Sequence, residues 1–305
     1  MVEAAMLWLF PVFALALRLG LDEVSVGLVL AGYRDLFLLP AWWLLARTPG
    51  RKRWLALPFC LWQLLGLIPF VEARTPPAAC GESITVVTAN LLMVHPDPGP
   101  LAAELKAMDA DIYLFQEYSS RWDDALTGLR EHGFTHVQDD SFGTAIYSRW
   151  PLEGAETVEL GGVLQAHATV ATPLGRVELL DAHTLPPRSL EYLPLHLAGL
   201  RDIEGWIRTA TADFLVAGDF NAGSRAAVFR RLRGVAADAW DLAGTGPGYT
   251  WPNGLFPLPP ARLDHVLVPP TLTVTDIQVG VGAGSDHRPV RAVVARRCAT
   301  PTVSP

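Results

Sequence analysis

Lysine is nearly missing from this 305-residue chain: Lys52 and Lys106 are the only two. Arginine is common, so we read the deficit as a bias of genome composition and not as a functional trait. Positive charge is also scarce where it would matter for nucleic acid. Residues 1–79 carry seven basic and five acidic side chains, which leaves 17 basic against 26 acidic for the remainder, a net −9. Non-specific DNA binding relies on Lys and Arg neutralising phosphates, so this balance argues against it. There are three cysteines and eight histidines. They do not fall in ligand spacing for a zinc site. The chain has no internal repeat and no low-complexity segment. Its first apolar run lacks the basic stretch that opens a cleaved signal peptide.

Apolar residues are plentiful: half the chain is hydrophobic, and the mean hydropathy is +0.25. The excess sits at the front, in three runs: Ala4–Leu19, Val24–Ala46 and Trp54–Val71. A spanning helix needs about 20 apolar residues. The second run meets that length, and the other two lie at its short end. Trp8, Trp42, Trp43, Trp54 and Trp62 suit membrane interfaces. Arg47 and the triplet Arg51-Lys52-Arg53 make the second connection the most basic stretch of the chain, which places it in the cytoplasm. Asp22 and Glu23 suit the outer side. The expectation is a multi-pass anchor over residues 1–73 in the cell membrane, with the rest of the chain extracytoplasmic. Arg34 and Asp35 are expensive in lipid, and Arg18 ends the first run early. The competing reading, a helical hairpin on a soluble protein, fits the run lengths less well.

Residues 74–79 (RTPPAA) read as a proline-rich linker to a catalytic domain spanning residues 80–298. Apolar, β-branched runs predict strands at Ile84–Ala89, Ile112–Phe115, Ala145–Tyr147, Val163–Val170, Val177–Asp181, Phe214–Ala217, Val266–Val268 and Val290–Val294. Helices are expected over Pro98–Met108 and Leu193–Ala210, the latter with apolar residues at 193, 197, 200, 203 and 207. Thr172–Gly175 should turn a hairpin. Strands outnumber helices, which suggests two packed sheets flanked by helices. Ala299–Pro305 reads as a disordered tail. Cys60 lies within the third apolar run and reads as an inert core thiol. Cys80 precedes the first strand of the domain and Cys298 follows the last. A bond between them would close a loop worth roughly 5 kcal/mol in the chain-entropy model and would persist only in an oxidising compartment. Two unpaired thiols are the alternative.

Polar residues that follow directly on apolar strands can be aimed into one cleft. They are Asn90, Glu117, His183, Asp219, Asn221, Asp264, Asp286 and His287. One at a time, each has a bland explanation as a turn cap or a surface residue. Together they supply hard oxygen ligands for Mg²⁺ or Mn²⁺, two imidazoles for proton transfer or charge stabilisation, and amides for phosphate oxygens.

The motifs TAN, QE, AHT, GDFN, RLDHVLV and SDHRPV occur in this order between Ile84 and Val294. In this respect the sequence resembles the endonuclease/exonuclease/phosphatase superfamily, and with the three apolar runs in front the arrangement looks like its membrane-anchored bacterial branch. The resemblance implies an α/β four-layer sandwich of two packed mixed β-sheets. It implies that Glu117 is the principal metal ligand with Asn90 beside it, and that Asp286 assists at the metal or the water. Asp219 and Asn221 would position the attacking water and the phosphate. His287, oriented by Asp264, would be the general base or a phosphate-contacting imidazole, and His183 would stabilise charge on the phosphoryl oxygens. Arg149 matches the loop after a central strand. His265, beside Asp264, reads as non-catalytic.

Three functions follow for test. The anchor favours a phosphoesterase acting on a lipid-linked phosphate such as undecaprenyl pyrophosphate, with Tyr249–Pro260 (YTWPNGLFPLPP) rimming the cleft or packed as an ordinary loop. The second is a membrane-tethered nuclease, against which the acidic domain counts. The third is a membrane protein that kept the fold and lost activity. No obligate protein partner is inferred.

Overall fold

The computed structural model describes residues 7–18, 37–71, 74–129, 133–137, 142–254 and 260–298. Among these residues twelve strands form two six-stranded sheets. In chain order they are β1 (Ala79–Asn90), β2 (Ile112–Gln116), β3 (Gly133–Val137), β4 (Thr144–Ser148), β5 (Leu152–Leu160), β6 (Val163–Thr172), β7 (Gly175–His183), β8 (Asp213–Asp219), β9 (Ala237–Asp238), β10 (Asp264–Val268), β11 (Leu272–Val279) and β12 (Val290–Arg297). The first sheet runs β11-β12-β1-β2-β4-β3 and the second β5-β6-β7-β8-β10-β9.

Each sheet contains one parallel pair, β1 with β2 and β7 with β8, among antiparallel neighbours. Alternation along a strand sends successive side chains to opposite faces. Val86, Ile112, Leu114 and Ile146 of the first sheet thereby meet Ala168, Leu179, Leu215 and Val266 of the second in the central core. Val87, Ala89, Tyr113 and Phe115 point outward, under Leu101 and Leu105 of a helix over Pro98–Ala107. Leu180, Ala182 and Val216 face outward from the second sheet. They lie under Leu193, Leu197, Leu200, Ile203 and Ile207 of a helix over Tyr192–Thr209, the stripe expected from sequence. Burying each such side chain contributes about 1.5–3 kcal/mol. The result is the expected layering of two mixed sheets flanked by helices.

The domain closes on itself at β1 and β12. Ala79 pairs with Arg297 and Cys80 with Arg296, so the strand begins on the last residue of the expected linker. Cys80 and Cys298 are disulfide-bonded, with Cα atoms 5.1 Å apart. The segment before them is docked: Arg74 Nη1 donates to Asp241 Oδ1 at 3.1 Å, and Cys298 N to Ala78 O at 2.9 Å.

The front of the chain corrects one expectation. Among the described residues no helix is long and apolar enough to cross a membrane. The apolar runs yield helices over Leu9–Arg18, Leu39–Arg47 and Leu57–Val71, of 10, 9 and 15 residues. At 1.5 Å per residue the longest spans about 22 Å, short of a hydrocarbon core of about 30 Å. Pro40 sits in the first turn of the Leu39–Arg47 helix, and Gly50–Ala56 winds as a 3₁₀-helix before Leu57. Residues 24–36 of the second run, Arg34 and Asp35 among them, lie outside the described residues, as does the expected tail Ala299–Pro305. The described helices pack on one another through Ala41, Leu44, Ala56 and the free, buried Cys60.

Candidate active site

The two parallel pairs end at the same edge of the sandwich. Asn90 is paired with Gln116 at the end of β1 and β2, and His183 with Asp219 at the end of β7 and β8. Asp264, the first residue of β10, pairs with Asp219 across the antiparallel ladder. Carboxyl ends of parallel strands are a recurrent position for ligand sites in open sheets. Backbone shape contributes too. Glu117 (φ 53°) and Asn221 (φ 45°) both occupy the left-handed region, a conformation that costs non-glycine residues about 1–3 kcal/mol and clusters at functional sites. Gly218, before Asp219, is required by space: a Cβ there would lie 1.8 Å from Ala182 O. The close approach of β8 to β7 brings Asp219 beside His183.

Asn90 Nδ2 donates to Glu117 Oε1 at 3.1 Å and lies 3.2 Å from Asp219 Oδ2, joining the two sheets through one amide. Glu117 Oε2 accepts from Met93 N at 2.9 Å. Asn221 is fixed by its own N–H to Asp219 Oδ1 (2.8 Å) and by Nδ2 to Thr184 O (2.8 Å). His287 Nδ1 is 2.9 Å from Asp264 Oδ2, and its Nε2 is 3.7 Å from Asp219 Oδ2. His183 Nε2 stands 4.0 Å from the same oxygen. Asp219 is therefore the hub of the site. Asn90, His183, Asp219, Asp264 and His287 are buried, while Glu117 and Asn221 are half-buried.

Burial and charge divide the titratable groups. Burial alone would lower His287, but the negative charges of Asp264 and Asp219 outweigh it and raise the imidazole to about 10. Burial, opposed by His287 and reinforced by Asp264, lifts Asp219 to about 7. Burial lowers His183 to about 4, with Glu117 opposing. At neutral pH His287 is an imidazolium, His183 is neutral, and Asp219 sits near its midpoint.

Asp219, Asp264 and His287 offer ligand atoms within 4.8 Å of one another, the metal-type grouping of acidic and imidazole side chains found among the described residues. That trio differs from the expected metal set of Asn90, Glu117 and Asp286. Asp286 Oδ1 and Asp264 Oδ1 are buried without a hydrogen-bond partner, whereas Asp286 Oδ2 accepts weakly from Trp251 Nε1 at 3.4 Å. Orphaned buried carboxylate oxygens are donor chemistry that fits a hard divalent cation such as Mg²⁺ or Mn²⁺.

Other residues enter that sequence reasoning passed over. Gln116, from the QE motif, turns away from the cleft to donate to Asp181 Oδ1 at 2.6 Å. Gln165 clasps the His183 backbone, accepting from its N–H (2.6 Å) and donating to its carbonyl (2.9 Å). Trp251 and Asn253, within the Tyr249–Pro260 stretch, touch Asp286, while residues 255–259 lie outside the described part. His265 faces away, into a buried cluster with Asp238 and Arg262, as suits its non-catalytic reading. Arg149 is occupied by ion pairs to Asp109 and Asp111, at the opposite end of β2 from Glu117.

The sequence matches the Endonuclease/Exonuclease/phosphatase family over residues 87–287. Solved structures with the same fold include an endonuclease/exonuclease/phosphatase from Beutenbergia cavernae (20% identity, TM-score 0.56, covering 71% of this chain and 72% of that one). One from Bacteroides vulgatus gives 18%, 0.58, 71% and 100%. D. rerio TDP2 complexed with a single-strand DNA product gives 19%, 0.57, 70% and 99%. At these identities the likeness concerns the fold. A comparison with curated proteins found no match.

Proposed function

Because the chain belongs to the endonuclease/exonuclease/phosphatase family and is a metal-dependent hydrolase of phosphate ester bonds, we propose that it cleaves a lipid-linked phosphate at the extracytoplasmic membrane surface. The observation that carries the location is the distribution of exposed apolar side chains. Of the eighteen large hydrophobic residues exposed among those described, twelve lie between Leu9 and Leu65. They include Trp42, Trp43, Trp54, Leu55, Leu61, Leu64 and Leu65, beside the exposed Arg51-Lys52-Arg53. Apolar faces of that extent mark contact with a membrane or a partner, and aromatic residues beside basic ones suit the lipid interface. The Cys80–Cys298 bond accords with an oxidising compartment.

Glu117, Asn90 and Asp286 would hold the divalent ion in this reading. When bound, the ion neutralises phosphate charge and polarises the phosphoryl group. Asp219, with its carboxyl near neutrality, accepts the proton of the attacking water at Oδ2. The water oxygen bonds to phosphorus in line as the substrate oxygen leaves on the far side. The His287 imidazolium, held by Asp264, binds a phosphoryl oxygen, and this reading assigns its raised pKa to charge stabilisation and not to base catalysis. Neutral His183 donates to another phosphoryl oxygen, and the Asn221 amide orients the phosphate.

A second reading, a membrane-tethered nuclease, draws support from the DNA product bound to D. rerio TDP2. The net −9 after residue 79 opposes it. Phosphate release by the full chain in detergent with Mg²⁺ decides between them, offering undecaprenyl pyrophosphate and a single-stranded oligonucleotide in parallel. Release from the lipid, lost in His287→Ala, is expected. Cleavage of the oligonucleotide alone would remove the lipid reading.

A further inference from the structure

Asp286 and His287 ride on the connection between β11 and β12, a stretch of irregular chain from Gly280 to Pro289. Something must hold it, because a shift of about 1 Å in a reacting group can cost about 100-fold in rate. The helix over Pro98–Ala107 supplies that restraint through one side chain. Glu104 Oε1 accepts from Val281 N at 2.6 Å and Gly282 N at 3.2 Å. Its Oε2 accepts from Gly282 N and Ala283 N, both at 3.1 Å. Three consecutive backbone amides thus converge on one carboxylate, the kind of concavity that binds anions. The turn needs glycine: Gly282 has φ +69°, and a Cβ there would lie 2.2 Å from His287 O. The cradle is therefore packed directly against the residue it serves.

The opposite side of the loop is held as well. Asn253 Nδ2 donates to Val281 O (2.9 Å), Gly282 O (2.8 Å) and Ser285 O (3.1 Å), and Asn253 N donates to Asp286 O (2.7 Å). His95 Nε2 lies 3.1 Å from Ala283 O. From this braced segment Ser285 Oγ donates to Asn90 O at 2.9 Å and accepts from His287 N at 3.1 Å. One hydroxyl ties the β1 end of the site to its imidazole.

We propose that Glu104 is a positioning residue for the phosphoesterase reaction: its carboxylate, seated in the amides of residues 281–283, sets the loop that places Asp286 and His287. The assignment rests on the reading of the site given above. It gains from the chemistry of the cradle, because a free carboxylate of similar size can replace the one removed.

The test uses the full chain in detergent with Mg²⁺ and bis-p-nitrophenyl phosphate, comparing wild type, Glu104→Ala, Glu104→Gln and the surface control Glu204→Ala. Glu104→Ala should lose about 10- to 100-fold in kcat, as loss of an outer support does elsewhere. Glu104→Gln, which turns one acceptor into a donor facing N–H groups, should fall between. Added formate should restore Glu104→Ala in part, while leaving wild type and His287→Ala unchanged. An unaltered kcat overturns the proposal, and so does a loss that formate does not relieve. Amide hydrogen exchange at residues 281–287 is read on the same samples and needs no substrate. It should quicken in Glu104→Ala, and unchanged exchange overturns the proposal even if wild type proves inactive. Inactive wild type with quickened exchange would instead count against the phosphoesterase reading alone.

Discussion

The bond between Cys80 and Cys298 makes a claim about both stability and compartment. It joins residues 218 apart in sequence at the free ends of β1 and β12. In the chain-entropy model a loop of that length restricts the unfolded chain by about 5 kcal/mol. For a domain of this size each kcal/mol moves the melting temperature by about 2–4 °C, so the expected shift is roughly 10–20 °C. The perturbation is Cys80→Ser with Cys298→Ser, made together so that no odd thiol remains to exchange. Cys80 is exposed, so a mild reductant should reproduce the effect in the wild type without prior unfolding. Two assays report on it. Thermal unfolding of the catalytic domain should occur at lower temperature in the double variant and in reduced wild type, to the same extent. Titration of denatured, unreduced protein isolated from the cell envelope should find one thiol, that of Cys60. Three reactive thiols would refute the oxidising-compartment argument. A melting shift below about 2 °C would refute the loop-closure reasoning and place the ends of β1 and β12 under the control of their ladder alone.

Two further outcomes follow from buried charge. Asp264→Asn removes the negative partner of His287 at 2.9 Å in a buried pair. Breaking such a pair costs about 3–5 kcal/mol, so urea unfolding should show a loss of that order, with hydrolysis reduced about 10- to 100-fold. A variant matching wild type in both would sink the assigned pairing. Asp181 is buried between the sheets, and burial drives its carboxyl well above the ordinary carboxylate range despite bonds from Gln116 and Ala145. The folded state then holds a proton that the unfolded state has released, so stability is full below the ordinary carboxylate pKa and falls as pH rises through the folded one. Asp181→Asn should therefore gain on wild type as pH increases from about 4 upward, and parallel pH profiles in urea unfolding would contradict the burial argument.

Much of the site was legible because its residues sit where local sequence speaks. Asn90, Glu117, His183 and Asp219 each end or follow an apolar strand, and the strand pattern alone says that they share an edge. What was not legible lacks a local signature. Glu104 lies mid-helix and Asn253 in an aromatic loop, and each acquires its role only when the β11–β12 connection folds against it. β5 escaped prediction because it is an edge strand with most side chains exposed, so no apolar alternation marks it. β11 alternates better, but a bulge between Val274 and Asp276 interrupts the pattern. At the front of the chain, hydropathy summed along the second and third runs takes no account of Pro40, in the first turn of the Leu39–Arg47 helix, or of the 3₁₀ turn that begins at Gly50.

The way the two sheets share the chemistry explains why a buried, polar core layer sits beneath the cleft. The first sheet brings Asn90 and Glu117, and the second brings His183, Asp219 and Asp264. The proposed chemistry requires the two sheets to keep register to within a fraction of an ångström, yet the apolar packing of the central core, which includes Ile112 and Leu179, is non-directional and specifies position weakly. Hydrogen bonds across the interface supply the direction. Gln116 on β2, next to Glu117, bonds to Asp181 on β7, two residues before His183 and on the same face. Asp181 also accepts from Ala145 N at 3.1 Å, and Thr144 Oγ1 accepts from Ala166 N at 2.8 Å. A carboxylate in that position is costly when charged. Its position directly under the two strand ends that carry the candidate site is therefore that of a register pin, with the cost of burial offset by the fixed placement of Glu117 against His183.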